Sequence, residues 1–204
     1  MAWRPCPAIG LRLYRPVGIV TLMSMPDTKT RILTAAEQVV LERGVPALTL
    51  DAVAEAAGLS KGGLIYHFES KEALIRAMIA RIGACMQERM DRLTAADAQP
   101  GALTRAYLGA AFPPPGTPDD RDAMREAALI AALGYDASLL APYAAQYAGW
   151  VDRQKADGID PVLAAIVRLA ADGLWLNEVF GIRAVAPEDR AAVLRRLAEM
   201  THGA

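Results

Sequence analysis

Apolar residues recur at three- and four-residue spacing along the chain after residue 26, and no long run alternates apolar with polar positions. This spacing is typical of amphipathic helices, whereas strict alternation is typical of strands. Pro and Gly mark the helix boundaries in this pattern, since Pro cannot continue a helix and Gly favours the end of one. Helices are predicted over 27–43, 50–57, 60–68, 70–93, 102–112, 119–133, 137–156, 161–180 and 187–201. The sequence therefore predicts an all-α chain.

The first four predicted helices carry clear start and stop signals. Thr49, Ser60 and Ser70 have side-chain oxygens of the kind that cap helix N-termini. Gly58 can adopt the left-handed backbone conformation that a sharp turn between two helices needs. Two short helices joined by a tight turn are therefore predicted between Thr49 and Phe68.

The second short helix has an outer face of small or hydrogen-bonding residues with no acid among them. Leu64 and Phe68 lie four residues apart and are predicted to point inward. The outer face consists of Ser60, Lys61, Gly62, Gly63, Tyr66 and His67. A DNA major groove admits such a helix, because glycines let the backbone approach closely. Lys61 can reach a guanine edge or a phosphate, and Lys71 at the next helix start can reach a phosphate.

Two other interpretations of this segment involve no DNA. The geometry also occurs as a plain corner between two helices that ends in a glycine cap. Residues 58–62 formally match the Gly-x-Ser-x-Gly motif of serine hydrolases, but that motif needs a preceding strand and residues 50–57 have helical spacing. His67 and His202 are the only histidines, and with two cysteines they provide no metal-ligand set. We therefore expect no catalytic residue, no metal and no cofactor.

A set of short motifs covers residues 31–79. They are Ile32-Leu-Thr-Ala-Ala36, Gly44, Thr49, Ala54 to Gly58, Ser60-Lys61-Gly62, Leu64-Ile-Tyr-His-Phe68 and Ser70-Lys71-Glu72-Ala-Leu74. This run closely resembles the N-terminal DNA-binding domain of TetR-family transcriptional repressors. The resemblance implies DNA contacts by Thr49, Ser60, Lys61, Gly62, Tyr66, His67 and Lys71. Gly63 departs from the family, in which many members carry Thr, Ser or Ala; the glycine pair favours contacts through the backbone and Lys61.

The resemblance continues more weakly beyond residue 82, where residues 171–181 look like a helix of some TetR C-terminal domains. It implies a helix-turn-helix domain over 26–80 and a helical ligand-binding and dimerisation domain over 81–204. Residues 1–25 have no helical period and are predicted to form a tail or upstream extension. Residues 1–26 hold three arginines and no acid. A signal peptide and a basic arm that contacts DNA are two alternatives for this segment. A flexible tail, upstream of a true start at Met23 or Met25, is preferred.

Aromatic residues cluster after residue 100. Tyr107, Trp150 and Trp175 fall on three predicted helices and could line one cavity, with Asn177 adding a hydrogen bond. Core packing explains such aromatics equally well. A cavity of this kind predicts a small apolar or aromatic effector.

One side of the 161–180 helix is apolar, with small residues that permit close helix approach. It comprises Val162, Ala165, Ile166, Leu169, Gly173, Leu176 and Phe180. This side could pack only against the 187–201 helix. The family resemblance instead implies that residues of about 161–201 pair with their symmetry mates as a four-helix bundle in a homodimer.

Charge changes the interpretation little, because the chain has 22 Lys and Arg against 23 Asp and Glu. DNA binding must therefore rest on local geometry. No apolar run is long enough to span a membrane, and two cysteines suit a reducing cytoplasm. The sequence predicts a cytoplasmic repressor that a small-molecule ligand releases from a palindromic operator on double-stranded DNA. The alternative is a helical ligand-binding protein without DNA binding, against which the intact 60–71 face argues.

Overall fold

The computed structural model describes residues 27–202, and no strand occurs among them. Its helices are α1 (Thr28–Arg43), α2 (Leu50–Ala57), α3 (Lys61–His67), α4 (Lys71–Ala95), α5 (Ala102–Ala111), α6 (Pro118–Leu133), α7 (Ala141–Gln154), α8 (Pro161–Val179) and α9 (Arg190–Glu199), with a short 3-10 helix at Val45–Ala47. The predicted all-α class is confirmed. None of the helices over residues 27–202 is long and apolar enough to cross a membrane.

The chain divides into two compact units between Met78 and Ile79, and α4 contributes residues to both. The sequence-based boundary at residue 80 lies close to this division and stays a prediction. The predictions made for residues 1–25 lie outside the described residues.

Two helix starts differ from the predicted ones by three or more residues. Helix α7 begins at Ala141 rather than residue 137, because the Asp136 side chain accepts from the Ser138 N–H at 2.8 Å and holds a preceding turn. Helix α9 begins at Arg190, after a turn over residues 187–189. Pro187 was expected at the first helical position and instead belongs to that turn, whereas Pro161 does open α8.

The first unit is built on one buried face from each of its helices. Helix α1 buries Ile32, Ala36, Val39 and Val40, which share one face of the helix. Val53 and Ala54 of α2, Leu64 of α3 and Phe68 are also buried. The Arg31 Nη2 atom donates to the Ala57 carbonyl at 2.8 Å, which fixes the end of α2 against α1. The orientation of α3 therefore follows from a packed core.

The second unit packs helices around α5. Its core draws on α4, α5, α7, α8 and α9, through Met86, Met90, Leu103, Tyr107, Leu108, Ala110, Trp150, Val167, Ala171 and Leu197. The Asp157 carboxylate accepts from the backbone N–H groups of Leu103 and Thr104 at 2.9 and 2.7 Å. These bonds satisfy the free donors at the N-terminus of α5 and tie it to the segment after α7.

Candidate functional site

The turn between α2 and α3 has the geometry that its residues predict. The Thr49 hydroxyl accepts from the Ala52 N–H and the Ser60 hydroxyl accepts from the Gly63 N–H, both at 3.1 Å. Gly58 ends α2 with φ +65° and ψ +40°, a left-handed conformation that other residues adopt only at a cost. The helix-turn-helix is therefore fixed by two side-chain caps and one glycine.

The outer face of α3 carries most of the predicted DNA-contact residues together. Ser60, Lys61, Gly62, Tyr66 and His67 are exposed, and the Tyr66 side chain is 86% accessible. Thr49 at the start of α2 is also exposed, whereas Gly63 and Lys71 are half-buried. Contact of these residues with DNA stays a prediction.

The two adjacent glycines differ in their surroundings. No heavy atom lies within 4 Å of the position that a Cβ on Gly62 would take, so its backbone is bare toward the outside. A Cβ on Gly63 would lie 3.3 Å from the Ser60 Oγ atom that caps the helix. Gly62 therefore provides the open approach, and Gly63 leaves room for the cap.

An ion pair at this face was not anticipated from the sequence. The Lys61 Nζ atom lies 3.0 Å from the Asp51 Oδ2 atom, and both side chains are mostly exposed. An exposed pair of this kind contributes about 0–1 kcal/mol, so Lys61 can exchange its carboxylate for a phosphate. Asp51 is ten residues away, on the other helix, and no spacing rule within one helix finds it.

The second unit contains a cavity of about 300 Å³ between α4, α5, α6, α7 and α8. Its lining is mainly apolar and aromatic: Ile82, Met86, Arg89, Tyr107, Ala110, Ala111, Ala123, Glu126, Ala127, Ile130, Tyr143, Tyr147, Asp172, Gly173, Trp175 and Leu176. A second cavity of about 270 Å³ shares Trp175 and three alanines with it. Cavities of this size and lining suit a small organic molecule.

The polar groups of the larger cavity centre on Asp172. The Tyr107 hydroxyl donates to its Oδ1 atom and the Tyr147 hydroxyl to its Oδ2 atom. Burial, followed by the charge of Asp172, raises the pKa of Tyr107 and of Tyr143 above the ordinary phenol value. Burial also raises the pKa of Tyr147. The three phenols therefore keep their protons, and Tyr107 and Tyr147 donate theirs to Asp172.

A buried ion pair joins two other walls of the same cavity. The Arg89 guanidinium donates from Nη1 and Nη2 to the two carboxylate oxygens of Glu126, at 3.0 and 2.6 Å. The Arg89 Nε atom donates to the Ala110 carbonyl at 3.3 Å. Because the pair is bidentate and buried, it holds α4, α5 and α6 in place around the cavity.

The predicted ligand residues are only partly brought together. Tyr107 and Trp175 line the larger cavity. Trp150 is buried behind it, in edge contact with Tyr107, and its indole N–H donates to the Gln87 Oε1 atom at 2.6 Å. Asn177 donates to the Gly173 carbonyl of its own helix at 2.6 Å. Neither Trp150 nor Asn177 lines either cavity described here.

Sequence reasoning missed the carboxylate at the centre of this site. Asp172 carries no motif, and only its position four residues after Arg168 on an apolar helix could have singled it out. Tyr143 and Tyr147 belong to the aromatic residues that cluster after residue 100, and nothing in the sequence separates them from the others.

An apolar stripe on α8 is exposed within the described chain. Val162, Ile166, Leu169, Leu176 and Phe180 are each at least half accessible. Gly173 lies in the same stripe, and nothing lies within 4 Å of its added Cβ position. Ala165, which the sequence placed with them, is half-buried. The stripe has the alternating three- and four-residue spacing of a helix-packing seam.

Comparison with known proteins identifies the family. Residues 32–78 match the family model described as bacterial regulatory proteins, tetR family, and residues 101–202 match that of the tetracyclin repressor-like C-terminal domain. The chain belongs to the TetR family. This membership confirms the predicted family and the prediction of a regulator rather than an enzyme, and it does not favour the alternative without DNA binding.

Curated relatives of this TetR-family chain match over its N-terminal part. The HTH-type transcriptional repressor BepR of Brucella suis is 42% identical over 64 residues, which is 31% of each chain. The HTH-type transcriptional regulator TtgR of Pseudomonas putida is 38% identical over 53 residues, 26% of this chain and 25% of TtgR. The chain therefore spans less than half the length of these relatives.

Solved structures match over most of the chain. The multidrug binding protein EbrR complexed with malachite green is 26% identical, with a TM-score of 0.63 over 86% of this chain and 99% of EbrR. A TetR-family regulator from Rhodococcus sp. has a TM-score of 0.64 at 22% identity, over 87% of this chain and 100% of the regulator. The second likeness shows the fold alone.

Proposed function

We propose that this TetR-family chain is a transcriptional repressor that binds a palindromic operator and is released from it by a small molecule. The observation that carries the proposal is the face of α3, where five predicted contact residues are exposed on a packed helix-turn-helix. The similarity to BepR, which is named a transcriptional repressor, supports repression rather than activation.

The residues of the face divide into two proposed roles. Gly62 lets the helix backbone approach base edges, and Lys61 reaches a guanine or a phosphate after leaving Asp51. Phosphate contacts come from hydroxyl, imidazole and ammonium groups, which are those of Thr49, Ser60, Tyr66, His67 and Lys71. Gly63 contributes to the face by donating its N–H to the Ser60 hydroxyl, the bond that caps the start of α3.

The proposed dimer forms through the exposed stripe of α8, with α9 beside it, over residues of about 161–201. Apolar side chains in a helix-packing seam lose contact with water when two copies meet. One helix-turn-helix buries too little surface for strong specific binding, so two copies on a palindrome are expected.

The proposed effector occupies the larger cavity of the second unit. Its apolar and aromatic lining supports a small organic ligand, as does the likeness to a multidrug binding protein that was solved with malachite green. Helix α4 lines this cavity through Ile82, Met86 and Arg89 and begins at Lys71 in the first unit. Ligand and operator would then be coupled, each weakening the binding of the other by the same factor.

Selection of bound sequences from random DNA tests the proposal. We expect a palindrome whose half-site centres lie about one helical turn, or a multiple of it, apart. A full chain that enriches no sequence, or that enriches a single half-site as a monomer, contradicts the proposal.

A further inference from the structure

We propose that the larger cavity of the second unit takes an aromatic organic cation, and that Asp172 is the residue that recognises its charge. This inference rests on the proposed function, because it names the chemical class of the effector. It goes beyond the apolar or aromatic ligand expected from the sequence.

The side chains that donate directly to Asp172 orient its carboxylate and carry no charge themselves, and Arg168 reaches it only through the Tyr147 hydroxyl. Both oxygens accept hydrogen bonds, one from Tyr107 and one from Tyr147, and both donors are uncharged phenols. A carboxylate in the wall of an apolar cavity is stabilised further by a cation, because the surroundings screen charge poorly. A ligand with a positive charge supplies that partner.

The other charged groups near the cavity do not place a cation inside it next to Asp172. Arg89 is bound through two nitrogens to Glu126, so this pair carries no net charge into the cavity. Arg168 does not line the cavity; its Nε atom donates to the Tyr147 hydroxyl at 3.1 Å and its Nη1 atom to Gln154 at 2.9 Å. Among the lining side chains, carboxylates therefore outnumber guanidinium groups by one.

The aromatic walls complement the same ligand. Tyr107, Tyr143, Tyr147 and Trp175 line the cavity. The faces of such rings attract cations, and their area also contacts a flat apolar body. An anion would meet Asp172 at close range, and a neutral ligand would bring no positive charge to the side of the carboxylate that lines the cavity.

Two probes of one shape test the inference. In naphthyltrimethylammonium a nitrogen carries a positive charge, and in tert-butylnaphthalene a carbon replaces that nitrogen. Binding of each to the DNA-free full chain is measured by calorimetry and by quenching of tryptophan fluorescence. We expect the cation to bind at least about tenfold more tightly than its neutral counterpart.

Variants then assign the charge preference to one residue. Asp172→Asn keeps the shape of the side chain, with one oxygen that accepts from one tyrosine and an amide N–H that can donate to the other, and it should abolish the preference for the cation. Asp152→Asn, at an exposed carboxylate of α7 that pairs with Lys155, is the matched control and should retain the preference. Tyr107→Phe removes one hydrogen bond to Asp172 but not its charge, and should retain it as well.

The outcomes separate this inference from the proposed function. The inference is overturned if the unmodified chain binds the two probes equally or binds neither. This outcome does not depend on whether any variant folds. A preference that survives in Asp172→Asn also overturns it. Enrichment of an operator by the same preparation leaves the proposed function standing in each case, whereas failure to enrich any DNA contradicts that function alone.

Discussion

Lys61 and Lys71 are the two lysines of the predicted DNA face, and they differ in their surroundings. Lys61 is exposed and pairs with Asp51, whereas Lys71 is half-buried at the start of α4. Both were found from the sequence, because caps and turns fix which side of a short helix faces outward. Asp51 was missed because its contact depends on how two helices cross.

Replacing either lysine with alanine should weaken operator binding. Lys71→Ala removes a proposed phosphate contact, so it should weaken binding to all sequences and reduce the slope of log affinity against log salt by about one. Lys61→Ala should also relax selectivity at one base position. Lys155→Ala, an exposed lysine of the second unit that pairs with Asp152, is the control. Unchanged mobility shifts for both face variants would show that the face is wrongly assigned.

Asp51→Asn should change stability and DNA affinity in opposite directions. Asp51 lies in the first turn of α2, where a negative charge favours the helix by about 0.3–1 kcal/mol, so thermal stability should fall slightly. The same change removes an acid close to the DNA face and frees Lys61, so operator affinity should rise, most clearly at low salt. Equal or lower affinity at low salt would mean that the pair does not compete with DNA.

At the scale of helices, the ends that a capping side chain or a glycine fixes could be predicted from the sequence. The ends that follow an irregular turn could not. Thr49, Gly58 and Ser60 define α2 and α3 almost to the residue, since each satisfies a specific backbone need. The predicted starts of α7 and α9 are wrong, because residues 137–140 and 187–189 form turns ahead of these helices, the first of them held by Asp136.

Glycine-to-alanine changes should separate the two roles of glycine around α3. Gly58→Ala forces a side chain into a left-handed conformation, at a cost of about 1–2 kcal/mol, and should lower the unfolding midpoint. Gly62→Ala adds a methyl group to a helix position with open space, and should stabilise the fold by up to about 1 kcal/mol. It should nevertheless weaken operator binding, since the methyl group stands between backbone and DNA. If the Gly62→Ala chain binds the operator normally, the α3 backbone at residue 62 does not approach the DNA closely.

At the scale of the whole molecule, the sequence predicted a ligand domain but not its chemistry. The aromatic residues are visible in the sequence, yet their division between core and cavity wall depends on packing. For example, Trp150 is buried behind the cavity, whereas Trp175 lines it. The central carboxylate of Asp172 becomes apparent only when helices from distant parts of the chain converge.

The α8 stripe was predictable as one side of a helix, and its exposure in a single chain supports pairing of two copies. Leu169 is 62% accessible at the middle of this stripe. Leu169→Asp would place two charges against apolar partners in the proposed interface, and an unpaired buried charge costs more than a dimer of this kind can offset. Sedimentation should therefore show monomers at micromolar concentration, and operator affinity should fall because one helix-turn-helix binds alone.

Met124→Asp is the matched control for that change. Met124 is an exposed apolar residue of α6, 68% accessible and outside the stripe, so the same new charge there should leave the dimer intact. Helical circular dichroism of both variants checks that the chain remains folded. A Leu169→Asp chain that sediments as a dimer and binds its operator normally would place the interface elsewhere. Monomers from both variants would show that charge on the second unit, and not the stripe, controls assembly.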